Sequence, residues 1–240
     1  MKSFKIGIAK QVMEIRTAYD LSRDFFKDFL TDSPCNCRIE VSKDYFKEEK
    51  NPKQTALKSE AGCCSTRPLW LRMVSEELIE HNAFLIHGAA IALEDESYIF
   101  IAPSGIGKTT HILKWLDHCP NAFVINGDKP FVLVDEEDDC TIKACGSPWG
   151  GKEHLYSNAI VPLKAIIIME RGEENIIQKI PMVEAFPILL QQIYRPVDTD
   201  KMKKTLKLLQ KLDGKVAFWR FQCNNYKDDC FQVAYKALHE

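Results

Sequence analysis

The sequence lacks several features that would place the protein in a specialised class. Its 240 residues carry a formal net charge of −2, so the chain has no general positive charge that would attract nucleic acid or an anionic membrane. No apolar run approaches the length of a membrane-spanning helix, and the first residues lack the apolar core of a signal peptide. Repeats and low-complexity segments are also absent. These absences predict a cytoplasmic protein with neither nucleic acid nor a membrane as its partner.

Cysteine, in contrast, is abundant, with nine residues. An odd number in a chain without a secretion signal favours reduced thiols over disulfides. Cys35 with Cys37, and Cys63 with Cys64, form two local pairs, but neither pair has the usual spacing of a zinc knuckle. Buried or incidental reduced cysteines are therefore favoured over a zinc site.

Apolar residues are spaced in patterns typical of alternating strands and helices. The first 82 residues predict a strand over 4–16, a helix over 19–30, a polar loop or domain seam over 48–62, and a helix that begins at Pro68. After residue 82, strands are predicted over 83–93 (interrupted at His87-Gly88), 97–102, 123–125, 131–134, 141–144, 163–169 and 216–221, and helices over 108–117, 183–194, 198–212 and 228–238.

This mixture of strands, hairpins and helices predicts an α/β protein with a mixed sheet flanked by helices. A chain of 240 residues suits one large domain. We predict a single domain over 1–240, in which residues 1–82 form an N-terminal β/α extension packed on a core of residues 83–240.

The segment from Ala102 to Thr109 has the spacing of a phosphate-binding loop, or Walker A motif. It reads Ala-Pro-Ser-Gly-Ile-Gly-Lys-Thr and lies between a predicted buried strand and a predicted helix, which is the context that the motif requires. Small residues let backbone N–H groups surround phosphate oxygens, and the N-terminus of the helix adds partial positive charge. Lys108 adds a full charge, and the Thr109 hydroxyl is a ligand for Mg²⁺. The residues predicted to bind the nucleotide are Pro103, Ser104, Gly105, Ile106, Gly107, Lys108, Thr109 and Thr110.

The residues around this loop resemble HPr kinase/phosphorylase, a family that shares its fold with the nucleotide domain of phosphoenolpyruvate carboxykinase. The resemblance begins at His87-Gly88-Ala89-Ala90 and the loop, and it continues at 125–129 (Ile-Asn-Gly-Asp-Lys), 146–153 (Gly-Ser-Pro-Trp-Gly-Gly-Lys-Glu) and 170–175 (Glu-Arg-Gly-Glu-Glu-Asn). These segments are most similar to a subgroup of HPr-kinase-like proteins, some of which are found beside peptide-modification genes. The resemblance covers roughly residues 84–196.

The resemblance implies a P-loop kinase fold with ATP and Mg²⁺ as its cofactors. It implies that a phosphoryl group passes from ATP to a hydroxyl, often of a serine, in a peptide, a small protein or a small molecule. HPr kinases assemble into hexamers, so the resemblance also implies that this chain can form a homo-oligomer.

The resemblance assigns roles to single residues as well. Asp128 lies where an acid holds Mg²⁺, directly or through water, or accepts the proton of the attacking hydroxyl. His87 corresponds to a histidine near the phosphates and the catalytic acid, where it relays a proton or stabilises phosphate. Lys152 and Glu153 belong to a loop that moves over the site, Lys152 as a clamp on phosphate or substrate and Glu153 as part of the metal shell. Arg195 is a candidate for neutralising charge on the phosphoryl group.

One position departs from the family pattern. HPr kinases have two adjacent acids, of which the first is thought to be the base, and this chain has Gly127 in the first place. Either Asp128 performs both functions or the base is lost. Two functions therefore stay open: a kinase with His87, Lys108 and Asp128 as catalytic residues, and a non-catalytic or regulatory nucleotide-binding protein that partners a peptide-modification system. A carboxykinase-like enzyme is a third and weaker alternative, because the sequence has no cluster of residues that would bind a second metal ion. The sequence does not distinguish ATP from GTP as the nucleotide.

Overall fold

The computed structural model describes residues 2–18, 22–41, 67–224, 226–227 and 229–239. Within these ranges the strands are β1 (Lys2–Ile8), β2 (Gln11–Thr17), β3 (Cys37–Val41), β4 (Ala83–Leu85), β5 (Ala89–Leu93), β6 (Glu96–Ile101), β7 (Ala122–Asn126), β8 (Phe131–Asp135), β9 (Thr141–Cys145), β10 (Ile160–Arg171), β11 (Ile176–Ile180) and β12 (Ala217–Cys223). The helices are α1 (Ser22–Phe25), α2 (Arg67–Glu80), α3 (Lys108–His118), α4 (Met182–Gln192), α5 (Thr199–Gln210) and α6 (Cys230–His239), and a 3-10 turn spans Lys27–Phe29.

The larger sheet is mixed, as the sequence predicted. Its strands follow the order β4-β8-β9-β10-β6-β5-β7, with β12 paired to β10 and β11 paired to β12. The long strand β10 runs parallel to β6 and to β12, whereas its first residues pair antiparallel with β9. The mixed α/β class is therefore confirmed.

A separate three-stranded sheet is formed by the N-terminal residues, with β1 and β2 antiparallel and β2 and β3 parallel. The chain reverses at Ala9 and Lys10, which both have positive φ. The single strand predicted over 4–16 is therefore wrong: it is a hairpin, whose turn lacks the Asn-Gly or Asp-Gly pair that usually marks such a reversal. Of the helix predicted over 19–30, the described residues from 22 onward contain only α1 and the 3-10 turn. The loop predicted over 48–62 lies outside the described residues.

Alternate residues of the central strands contribute to different apolar clusters. In β8, Val132 and Val134 join a cluster with residues of α4 and α5, whereas Phe131 and Leu133 join a cluster with the N-terminal sheet and α2. A third cluster packs α3 and α6 against β5, β6 and β10. Helices cover the sheet on both faces, so strands such as β5 are buried throughout and have continuous apolar runs.

The other predicted elements are present with ends shifted by a few residues, and two short strands, β3 and β11, were not predicted. β11 is largely exposed, and its residues do not alternate regularly between buried and exposed positions, so its sequence resembles that of a loop. Within the described parts of the chain, no helix is both long and apolar enough to cross a membrane.

Candidate functional site

Three strand ends meet at one edge of the larger sheet. β5 runs antiparallel to both β6 and β7, with Ala89 opposite Phe100 and Ala90 opposite Asn126. The start of β5 therefore lies beside the carboxyl ends of β6 and β7. This pairing brings His87, the phosphate loop and Asp128 to the same place, although they are far apart in the sequence.

The phosphate loop connects β6 to α3. Gly105 and Gly107 have φ values of +83° and +111°, in the left-handed region that glycine adopts without strain. A Cβ added to Gly105 would meet no atom within 4 Å, so this part of the loop is open. α3 begins at Lys108, and the unpaired N–H groups of its first turn are suited to bind an anion.

Lys108 is folded onto the loop that precedes it. Its Nζ donates a hydrogen bond to the carbonyl of Ala102 at 2.9 Å, and the residue is only 8% exposed. Burial lowers the pKa of the ammonium group, and the negative charge of Asp128 opposes that effect. An ammonium group has three N–H donors, so one bond to the backbone leaves donors for phosphate oxygens.

Asp128 and His87 are in contact. Oδ1 of Asp128 lies 3.4 Å from Nε2 of His87, and the backbone N–H of Gly88 donates to the Asp128 carbonyl at 2.9 Å. On its other side, Nδ1 of His87 lies 3.1 Å from Oε1 of Gln192, at the end of α4. The imidazole is thus held between two partners, and its orientation is set before any ligand binds.

The carboxyl of Asp128 is held in its ionised form. Burial raises its pKa, but hydrogen bonds and positive charge from His87 and Lys129 outweigh burial and lower the pKa to about 2. A general base works best when its pKa is near the working pH, whereas a permanent carboxylate is a good ligand for Mg²⁺. Of the two roles predicted for Asp128, these surroundings favour the metal-holding role.

The turn that presents Asp128 is held by two residues that sequence analysis did not assign. Oδ1 of Asn126 accepts hydrogen bonds from the N–H groups of Asp128 at 2.9 Å and of Lys129 at 2.6 Å. Its Nδ2 donates to the carbonyl and the hydroxyl of Ser147 at 2.8 and 3.0 Å, and that hydroxyl donates to the Lys129 carbonyl. Both side chains are fully buried. In the sequence, only one feature pointed to Asn126 and Ser147: both lie in segments that resemble the HPr kinase family.

Gly127 lies beneath the loop of residues 150–155. Its N–H donates to the carbonyl of Leu155 at 2.8 Å. A Cβ at Gly127 would lie 3.1 Å from the Gly150 carbonyl oxygen and 3.2 Å from the Leu155 Cβ. The loop therefore crowds the position of the first acid of HPr kinases, and a side chain there would require the loop to shift by a few tenths of an ångström.

A cavity of about 800 Å³, the nucleotide cavity, joins these elements. Its volume is in the range of pockets that hold ligands of nucleotide size. Among the predicted site residues, it is lined by His87, Ser104, Gly105, Gly107, Lys108, Thr109, Thr110, Asp128, Lys152 and Glu153. Three predicted residues do not line it: Ile106 packs against the apolar cluster around α3, and Pro103 and Arg195 are exposed.

Oxygen ligands for Mg²⁺ are present in the same cavity. Thr109 offers a hydroxyl and Asp128 a carboxylate, which are among the ligand types that Mg²⁺ accepts. Glu153 lines the same cavity and adds a second carboxylate. The donor set therefore fits a magnesium ion that also binds phosphate oxygens.

A second group with metal-binding composition lies behind the phosphate loop, where His111, Cys223 and Cys230 are buried together. Nε1 of Trp115 donates to Nε2 of His111 at 3.2 Å. A neutral imidazole then carries its proton on Nδ1, which lies 3.4 Å from Sγ of Cys230. In this arrangement the three side chains form a hydrogen-bonded cluster. Of the cysteine pairs considered above, the second lies outside the described residues.

A scan against models of known protein families gives no match, and a search of curated proteins gives none either. The resemblance to HPr kinase therefore stays a prediction that rests on the motifs quoted above. The function has to be argued from the geometry of the site.

Proposed function

We propose that this protein is an ATP- and Mg²⁺-dependent phosphotransferase, similar to HPr kinase, that phosphorylates a hydroxyl of a peptide, a small protein or a small molecule. The observation that carries the proposal is the nucleotide cavity, where the phosphate loop faces an ionised Asp128 in contact with His87. A protein that only binds nucleotide with Mg²⁺ needs the loop and an acid for the metal. It does not need a histidine that contacts this acid.

The phosphate loop would bind the phosphate groups of the nucleotide and supply positive charge. Backbone N–H groups around Gly105 and Gly107 and the N-terminus of α3 bind the phosphate oxygens. Lys108 is desolvated by burial, and an ammonium group with little water around it attracts phosphate strongly. These contacts hold the terminal phosphate in one orientation, which is most of what a kinase has to provide.

Thr109 and Asp128 would hold Mg²⁺, with Glu153 as a further oxygen ligand. When bound, Mg²⁺ neutralises charge on the phosphate oxygens. His87 keeps the Asp128 carboxylate oriented through its Nε2.

The acceptor hydroxyl has to reach the cavity near Asp128. There its oxygen bonds to the γ-phosphorus as the bond to the ADP oxygen breaks, and its proton passes to the pair of Asp128 and His87. The transition state of phosphoryl transfer is loose, so the proton leaves late and a weak base suffices. A low pKa at Asp128 is therefore compatible with transfer in the absence of a second acid.

A non-catalytic or regulatory nucleotide-binding protein, partnering a peptide-modification system, is the second candidate. One observation favours it: the loop of residues 150–155 packs closely over Gly127, at the position of the family's first acid. Under this candidate the site binds nucleotide without transferring phosphate.

Transfer can be tested directly. The protein is incubated with ATP, Mg²⁺ and a panel of serine peptides and small hydroxylated molecules, and mass spectrometry detects the addition of one phosphoryl group. Asp128→Asn should abolish transfer and change nucleotide affinity by less than about tenfold, because the loop supplies most of the phosphate contacts. Asp117→Asn, the same change on the exposed face of α3, is the control and should keep full activity.

Nucleotide binding without turnover on any acceptor would support the second candidate. Full transfer by Asp128→Asn would contradict the role given to Asp128. Lys108→Ala weakens nucleotide binding under both candidates, so it does not separate them.

A further inference from the structure

A second cavity, of about 270 Å³, opens beside the nucleotide cavity. We call it the acceptor pocket. Phe25, Trp149 and Tyr156 line it, and it shares Arg67 and Asp128 with the nucleotide cavity. A small molecule or a single side chain fits such a space, and a folded segment does not.

The walls of the acceptor pocket come from residues 24, 25 and 67 and from residues 128–156. The rings of Phe25 and Trp149 pack edge to face, with centroids 5.6 Å apart. Nε1 of Trp149 donates to the carbonyl of Arg67 at 3.2 Å, which fixes the first residue of α2 against the pocket. The hydroxyl of Tyr156 donates to Asp28 at 3.0 Å. The N-terminal residues thus build one side of the pocket and the Trp149 loop the other.

Arg67 brings a positive charge to this pocket. Its guanidinium lies over the ring of Phe25, with Cζ 4.9 Å from the ring centroid. Within the described ranges, its Nε is buried without a hydrogen-bond partner, and no carboxylate forms an ion pair with it. Lys129, which also lines the pocket, is paired with Asp128. Arg67 therefore offers a cation to an anion at this place, where Asp24 and Asp128 also line the pocket.

The position of Arg67 indicates which anion it binds. The guanidinium stacks on Phe25, which lines the acceptor pocket and not the nucleotide cavity. A planar guanidinium matches the two oxygens of a carboxylate in a bidentate arrangement. A ligand with its carboxylate on Arg67 still reaches Asp128, because both residues line this small pocket.

We propose that the acceptor pocket binds a small hydroxy acid, with its carboxylate on Arg67 and its hydroxyl directed to Asp128. This rests on the proposed phosphotransferase function and names its substrate class. Arg67 acts as a specificity-determining residue. The aromatic walls of Phe25 and Trp149 contact the carbon skeleton.

Binding is tested first, without nucleotide. Ligand-observed NMR titrations compare D-glycerate with glycerol, and L-serine with L-serinamide, so that each pair differs at the carboxylate. The carboxylates should bind on the order of 10- to 100-fold more tightly, the difference expected for a charge-assisted hydrogen bond. Arg67→Gln should remove this preference, and Arg67→Lys should keep part of it. Arg38→Gln, an arginine paired with Glu14 in the N-terminal sheet, is the control and should keep it in full.

Transfer is tested next, with ATP and Mg²⁺ added. Arg67→Gln should raise KM for the hydroxy acid by on the order of 10- to 100-fold and leave kcat and the KM for ATP nearly unchanged. If hydroxy acids bind through Arg67 but no phosphate is transferred, the proposal that this pocket binds hydroxy acids is supported and the proposed phosphotransferase function is contradicted. If glycerol or a serine peptide with blocked termini is phosphorylated as efficiently as glycerate, the function stands and the proposal for this pocket is overturned. A rise in KM for ATP alone in Arg67→Gln would also overturn it.

Discussion

The two loops that meet in the nucleotide cavity are built in different ways. The phosphate loop, residues 102–107, is exposed over much of its length, and its shape comes from two glycines and the strand and helix beside them. The acid turn, residues 126–129, is held by hydrogen bonds to Ser147 and to Leu155, distant in the sequence. The segment proposed to bind phosphate is thus local and open, whereas the segment proposed to perform chemistry is fixed by long-range contacts before a ligand arrives.

The strongest way to break the acid turn is to enlarge Gly146, the residue before Ser147. A Cβ there would lie 1.7 Å from the carbonyl oxygen of Ser157, so the backbone would have to move. We expect Gly146→Ala to lose about 3 kcal/mol or more of unfolding free energy, or to fail to fold. Urea unfolding followed by circular dichroism measures this loss.

Gly105→Ala is the matched change in the phosphate loop. The site is open, and only the positive φ opposes a side chain, so we expect a cost of about 1 kcal/mol. Equal losses in the two variants would show that the acid turn is no more tightly built than the phosphate loop.

Asn126→Ala should have the next largest effect. It leaves the N–H groups of Asp128 and Lys129 and the carbonyl of Ser147 without their buried partner. We expect a loss of about 2–4 kcal/mol in chemical denaturation, since each unsatisfied buried group costs about 1–3 kcal/mol. Asn158→Ala, which removes one long hydrogen bond at an exposed position, should change stability by less than about 0.5 kcal/mol. A loss below about 1 kcal/mol in Asn126→Ala would mean that the turn keeps its shape without this side chain.

The same contrast explains what the sequence could predict. The phosphate loop was recognisable because its strand, glycines, lysine and helix are consecutive, and the mixed sheet followed from apolar patterns. The support of Asp128 was not recognisable, because Asn126 and Ser147 meet only when β7 and the segment after β9 come together. The pocket around Arg67 and Phe25 was hidden for the same reason. The hairpin at Ala9 and Lys10 was missed because its turn residues carry no local signal.

Lys108→Met should separate binding from stability in the phosphate loop. A buried ammonium is costly to desolvate, and methionine has a similar length without the charge. We expect unfolding free energy to change by less than about 1 kcal/mol, and nucleotide affinity to fall on the order of 10- to 100-fold. Isothermal titration with ATP and urea unfolding measure the two effects. Lys207→Met, at an exposed position of α5, should alter neither. A large stability loss in Lys108→Met would indicate that the loop depends on this lysine for its fold.

The pH dependence of stability on the acid side reports on the acid turn. The folded state holds the pKa of Asp128 at about 2, below the value of about 3.9 expected in the unfolded chain. The ionised carboxylate therefore adds stability that is complete above about pH 4 and is lost as the pH falls toward 2. The Asp128→Asn variant should not show this part of the loss of stability at low pH. Melting temperatures measured between pH 5 and 2 test this.

On the alkaline side the phosphate loop should also make stability rise with pH. Burial lowers the pKa of Lys108 in the folded state, so at high pH the folded protein releases this proton before the unfolded chain does. The unfolded state then binds more protons, and stability from this residue rises with pH above its folded pKa. Melting temperatures of the wild type and Lys108→Met, compared from pH 7 upward, should diverge in favour of the wild type. If the two curves stay parallel, the ammonium of Lys108 is solvated as in the unfolded chain, and the loop is more open than its 8% exposure indicates.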